Sequence, residues 1–164
     1  MRLNLRNQAT TDMRPIRFRG KDFTGTWWYG YLSVVDGNPV IHPLKHEGVS
    51  MYVDEDTVGQ FTGLHDKHGH EIYEGDVIQH RSEKVAVQFY RGAFGYSRLV
   101  RKRIRFAEGA SRVEEVMKFV PFIGSDDNSN ALMFPDGTVF DTDFCEVIGN
   151  IHDDKNLLEK GGDK

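Results

Sequence analysis

A single cysteine, Cys145, in 164 residues leaves no internal disulfide to form, so a reducing, cytosolic compartment is expected. Residues 1–12 (MRLNLRNQATTD) contain no unbroken apolar stretch, so no signal peptide is expected there. No membrane span is expected elsewhere either, since no long hydrophobic run occurs. Repeats with a period of twenty to fifty residues are missing, as is any Pro-, Gly- or Ser-rich linker longer than a few residues, so the simplest organisation is one compact unit. The chain also has no G-x-S-x-G elbow, no G-x-x-x-x-G-K-[ST] loop and no G-x-G-x-x-G fingerprint, and a hydrolase, kinase or dehydrogenase finds nothing to stand on. What it does have is a folding composition: 38% hydrophobic, 12% aromatic and 28% charged residues.

Strand signals fill the first ninety residues. In residues 15–20, Ile16 and Phe18 alternate with Arg17 and Arg19, the period of a half-buried strand with one apolar and one basic face. Residues 26–35 (TWWYGYLSVV) are too rich in β-branched and aromatic side chains to be helix, and Asp36-Gly37-Asn38-Pro39 supplies a turn, which predicts a hairpin over 26–41. Short strands are expected at 58–61, 77–80 and 84–90, the last with Val85, Val87 and Phe89 on one face. Val113, Val116, Met117 and Val120 then fall at helical spacing behind an S-x-x-E capping box, Ser111 with Glu114, and predict a short helix ending before Pro121. A strand reading of that segment survives in its β-prone Phe119, Val120, Phe122 and Ile123. A second hairpin is expected around Pro135-Asp136-Gly137, a last strand at 147–151, and a final helical turn capped by Asp153 or Asp154 and docked by Leu157 and Leu158.

The net charge of −4 conceals a split: residues 1–60 are neutral, 61–110 carry +3 and 111–164 carry −7. The basic segment holds the run Arg98, Arg101, Lys102, Arg103 and Arg105, with no acidic residue from Arg91 to Arg105. As a strand, 98–106 (RLVRKRIRF) sets Arg101, Arg103 and Arg105 on one face and Lys102, Ile104 and Phe106 on the other. Such a ridge is a candidate nucleic-acid-binding element, with Phe94, Tyr96, Trp27, Trp28 and Tyr29 as stacking platforms if exposed. The opposing interpretation is a solvated strand paired with the acidic last third, its charges guarding an edge and the aromatics forming core.

Other constellations are weaker. His65, His68 and His70 lie within six residues, but without cysteine or a fourth ligand they read as a solvated loop, and no metal or cofactor is expected. Asp126, Asn128 and Asn130 open like a calcium loop, yet Ala131 stands at the glycine position and Gly137 at the final glutamate. Asp141 and Asp143 would share a strand face without a recognised catalytic partner, and Cys145 sits in an apolar context that favours an inert thiol. Asp66 with Gly69, and Glu74-Gly75-Asp76, read as turns whose carboxylates bond backbone amides. The alternative is that these turns gather Gln60, Thr62, Asp66 and Asp76 into a ligand site.

Three segments taken together resemble the YopX family of phage and prophage proteins: residues 13–32 with R-x-I-x-F-R-G, residues 53–78 with G-Q-F-T-G-L-x-D-x-x-G-x-E-I-Y-E-G-D, and residues 144–159 with E-V-I-G-N-I. The resemblance implies a bacterial or phage origin, a β-rich fold and no particular reaction. Met13 resembles the usual family start, so 1–12 is expected to be a flexible extension, 13–159 one domain and 160–164 a frayed tail. The expected fold is mainly β or α+β, with antiparallel strands in a small SH3-like barrel-type core and one or two short helices. The expected function is non-enzymatic: an interaction or assembly module, partnered by itself or by a phage or host protein, in the cytoplasm of a bacterial cell and away from membranes. Nucleic-acid binding through 98–106 is the alternative.

Overall fold

The structure, a computed structural model, describes residues 15–46, 48–80, 83–105, 111–122, 131–133, 139–141, 145–154 and 156–158. They are almost entirely antiparallel β and fall into two compact units divided between Gly63 and Leu64. The expected extension at 1–12, the tail at 160–164, the turn at 135–137 and the calcium-like 126–130 lie outside the described residues. Among those residues no helix is long and apolar enough to cross a membrane.

The first unit is built on β1 (Phe18–Lys21), β2 (Trp27–Val35), β3 (Asn38–Pro43), β4 (Met51–Tyr52) and β5 (Gly59–His65), the last of which carries the chain through the division. With β6 (Glu71–Tyr73) at its edge, the sheet runs β4-β3-β2-β1-β5-β6. The predicted hairpin is present, turning on Asp36 at φ 50° and Gly37 at φ 81°, the paired positive values of the type I′ turn that matches strand twist. Val40, Ile41, Val53 and Phe61 are the buried apolar residues of the first unit among the described ones. A 3₁₀ turn, Glu55–Thr57, is capped by the Asp54 carboxylate and pinned to β1, where the Lys21 amide donates to the Thr57 hydroxyl at 2.9 Å.

The basic row of β1 is covered, contrary to the usual disposition of charge. Ile16 is 60% exposed while Arg19 is 5% exposed. The Arg19 guanidinium lies 4.7 Å from the Trp27 ring centroid and that of Arg17 4.7 Å from Phe61, so aromatic faces receive the cations that alternation alone would send to water. The following turn closes on Asp22, whose carboxylate accepts from the Thr24 hydroxyl, the Trp28 indole N–H and the Thr24 and Thr26 amides. The Thr24 hydroxyl and the Trp28 indole lead in holding that carboxyl down at about 2, against the opposing effect of its burial.

The second unit contains β7 (Asp76–His80), β8 (Glu83–Tyr90), β9 (Ala93–Arg105), β10 (Ser111–Pro121) and β13 (Cys145–Asn150), in the order β10-β9-β8-β7-β13, with β11 (Ala131–Met133) and β12 (Val139–Asp141) as a separate pair. Its core is Ile72, Ile78, Val85, Val87, Tyr96, Val120 and Cys145. Val85 and Val87 are buried as their alternation predicts, whereas Phe89 is half exposed beside Phe94.

Three expectations need correction. The described strands do not close into a barrel. Residues 83–86 of β8 pair with β7, while 87–90 pair with β9, so one strand changes partner along its length and the sheet ends on β10 and β13. The helix expected at 111–120 is strand β10, paired residue for residue with β9 from Ser111↔Arg105 to Pro121↔Gly95. Long-range pairing with β9 and the β-branched valines outweigh a capping box and helical spacing, which are local preferences that tertiary context overrides. Finally, the segment after β13 forms turns. Asn150 Oδ1 accepts from the His152 and Asp153 amides at 2.9 Å each, and beyond it Asp154 does act as a cap, its carboxylate accepting the Asn156 amide at 3.0 Å, but residues 156–158 form a turn and not a helix.

Candidate interaction surface

The longest pairing among the described strands is that of β9 with β10, from Ser111↔Arg105 to Pro121↔Gly95. β9 meets β8 only over Ala93–Tyr96, so from Ser97 onward its single partner among the described strands is β10, and the two continue as a two-stranded ribbon. The outer edge of β10 has no strand beside it among the described residues. On this strand Val113, 54% exposed, and Met117, 64% exposed, share one face, while Val116, 38% exposed, stands on the other. At the ribbon's base Phe119 packs its ring 5.2 Å from that of Tyr90, itself half exposed, and thereby extends the apolar strip back to the hairpin turn at Arg91-Gly92. Exposed aliphatic side chains on an open strand edge form a template for another strand, which proteins ordinarily blunt.

The predicted basic run lies in this ribbon. Arg98, Arg101, Lys102, Arg103 and Arg105 all belong to β9, and the exposed Arg103 is the register partner of Val113. Lys102 and Arg101 are opposite Glu114 and Glu115, and Arg98 is opposite Lys118. The acidic last third of the chain therefore supplies carboxylates at two positions along the basic run, which lowers its net field toward phosphate. Of the proposed stacking platforms, Phe94 and Tyr96 are core, Trp27 and Trp28 are half-buried, and Tyr29 is exposed in the first unit.

The proposed ligand-turn residues separate by role. Gln60 is half-buried in β5 opposite Phe18, and Thr62 is buried in the same strand. Asp66 and Asp76 belong to the second unit, where each carboxylate accepts backbone amides. Asp76 takes the Tyr73 amide at 2.7 Å. Asp66 takes those of His68 at 2.8 Å, His70 at 2.9 Å and Val147 at 3.0 Å, with the His70 imidazole at 3.2 Å. Burial pushes the Asp66 carboxyl up, but the Val147, His70 and His68 amides outweigh it and hold the group at about 2. A buried carboxylate with its lone pairs so engaged is a structural clasp. Beside it Lys67 meets Glu146 at 2.6 Å, on a surface shared with water and worth little by itself.

His68 and His70 stand with ring centroids 6.0 Å apart, and no group of three or more metal-ligating side chains occurs among the described residues. Cys145 is fully buried in the core. Asp141 is the register partner of Ala131, while Asp143 lies outside the described residues. The residues that sequence reasoning missed are Val113, Val116 and Met117. Their spacing assigns them to the inner stripe of a helix, and the available contrary signal is the β-prone run of Phe119, Val120, Phe122 and Ile123.

The clasp explains the sequence blocks. The Asp66 carboxylate reaches Val147, Asn150 is the register partner of Asp76, and the Ile151 amide donates to the Gly75 carbonyl at 2.9 Å. The G-L-x-D and E-G-D turns of one block thus lock onto the E-V-I-G-N-I strand of another, far along the chain. Comparison with curated proteins finds no match. A family model described as YopX protein matches residues 34–159, which takes in both of these blocks and begins after the R-x-I-x-F-R-G segment. The chain belongs to the YopX protein family.

Proposed function

We infer that this chain is a non-enzymatic interaction or assembly module, encoded by a phage or prophage and acting in the cytoplasm of a bacterial host, with the β9–β10 ribbon as its contact element. The observation that supports this reading is the exposure of Val113, Val116 and Met117 on a strand whose outer edge has no neighbour among the described residues. Covering such an edge gains main-chain hydrogen bonds and apolar burial together, the physics of strand addition. The resemblance to phage and prophage proteins and the single buried cysteine support the origin and the compartment.

Sedimentation velocity tests the reading. The wild-type chain is expected to sediment above the mass of one chain at micromolar concentration, and Val113→Glu with Met117→Glu to return it to one chain without loss of β-structure. A wild-type chain that stays at single-chain mass up to hundreds of micromolar, and sediments as the variant does, overturns it. The alternative partner is a nucleic acid held by Arg98, Arg101, Lys102, Arg103 and Arg105. Anisotropy of labelled oligonucleotides that rises with protein, falls with salt and disappears in an Arg101→Glu, Arg103→Glu, Arg105→Glu variant would favour that reading instead.

A further inference from the structure

We propose that the occupant of the β10 edge is the β10 strand of a second copy, antiparallel to the first about a twofold axis through Val116. This deepens the interaction reading and rests on it.

The geometry restricts the choices sharply. Two identical antiparallel strands in one sheet are related by a twofold normal to the sheet, which keeps every side chain on its own face. The axis therefore passes through a residue pair of like parity, and one residue of β10 faces its own copy. Centring on Glu114, Glu115 or Lys118 sets like charges directly opposite each other. Met117 at the centre places Glu115 against Phe119 and gives no charge pair. Val113 at the centre leaves only Ser111 to Glu115 within the strand. Val116 alone gives a facing charge pair with length across 112–120: Glu114 faces Lys118 on each side of the axis, Val113 faces Phe119, Val116 faces itself, and the remaining pairs are Glu115 with Met117 and Arg112 with Val120. Opposite charges and aromatic-aliphatic pairs at directly facing positions are the stabilising cross-strand combinations.

The charges of β10 then have a second role. Glu114 already has Arg112 at 3.6 Å within its own strand, an exposed contact that leaves it available to a facing lysine. In one chain Glu114 and Lys118 blunt the edge against unrelated strands, and in the pair they select one register, so specificity arises from the same residues that resist aggregation. Val113 and Val116 each gain a facing apolar neighbour on their own face of the sheet at the same time.

Engineered cysteines read the register directly. Facing residues of an antiparallel pair have Cα atoms about 4.5–5.5 Å apart, within the range a disulfide spans. Full-length Val116→Cys is expected to oxidise to a covalent dimer in high yield. Val113→Cys would hold its two thiols about 20 Å apart, six residues along the strand, and is expected to stay uncross-linked. Native Cys145 is buried and supplies the background of the wild-type control. Lys118→Glu sets Glu114 against a second carboxylate on both sides of the axis and is expected to weaken association at least about tenfold, while Glu114→Lys combined with Lys118→Glu restores it. Within each chain Glu114 is opposite Lys102 and Lys118 is opposite Arg98, so Glu114→Lys loses a favourable cross-strand pair while Lys118→Glu gains one, and the β-structure of every variant is checked by circular dichroism alongside.

A wild-type chain that self-associates and is dissociated by the Val113 and Met117 variants, but shows no preference for cross-linking at 116 over 113 and no effect of the charge swap, overturns the proposed register while leaving the interaction reading intact. A wild-type chain that never exceeds single-chain mass overturns both.

Discussion

Gly30→Ala is expected to prevent the first sheet from forming. A Cβ at this position would overlap the His42 carbonyl oxygen and lie 2.6 Å from the His42 carbonyl carbon and 2.9 Å from Pro43 Cα. All three atoms are backbone of β3, and Gly30 and Pro43 are register partners in the central hairpin, so no side-chain rotation relieves the overlap. Separating β2 from β3 would strip Val40 and Ile41 of their cover, a cost of about 4 kcal/mol or more that falls among the exceptional single-residue effects. The control is Val34→Ala, an exposed change in the same strand, expected to shift stability by no more than about 1 kcal/mol. A soluble Gly30→Ala chain that melts cooperatively within a few degrees of wild type would show that the hairpin tolerates a separation the structure does not provide.

Asp66→Ala should produce the largest effect in the second unit. It leaves the amides of His68, His70 and Val147 without their acceptor, two in the turn and one across the chain in β13. Unsatisfied buried donors cost about 1–3 kcal/mol each before relaxation, so a loss of about 3 kcal/mol or more is expected in urea unfolding. Acid gives the same answer by another route. The Asp66 carboxyl stands at about 2 in the folded chain against an ordinary 3.8, so its contribution is complete above 3.8 and disappears as pH falls through that interval toward 2. Wild-type stability should accordingly decline more steeply between pH 4 and pH 2 than that of Asp66→Asn. Parallel pH profiles for the two proteins would mean that the carboxylate charge is not what the amides hold.

Much of the fold is written locally and the rest is not. The β2–β3 hairpin is legible because Asp36-Gly37 can adopt paired positive φ and the flanking residues are strand formers. Asp66 and Asp76 are legible as turn residues because a short carboxylate next to glycine bonds nearby amides. The ribbon is not legible in the same way. The pattern from Ser111 to Val120 satisfies a helix, and what overrides it is β9, whose register partners are specified by no periodicity within the segment. The same mistake hides the apolar edge, since residues assigned to the inside of a helix cannot also be its exposed strip. Arg19 is misjudged for a related reason: alternation records which residues share a face, while the Trp27 ring that makes a covered arginine tolerable comes from another strand. The charge split does offer a basic strand paired with the acidic last third, and strand pairing names the carboxylates, Glu115 opposite Arg101 and Glu114 opposite Lys102.

The hydrogen bond from Val147 to Asp66 closes a separation of 81 residues, and β7 waits on the same closure for its second neighbour. A growing chain that has reached the end of β10 has β8 paired along one side of β7 and nothing yet on the other. Until residues 145–150 arrive, Val77 and Ile78 lie on a strand with an open flank, during the interval in which non-local closure is slowest and foreign strands compete best. The far block is thus the stitch that ends the vulnerable phase of folding, and shortening the chain ahead of Cys145 would leave that phase permanent.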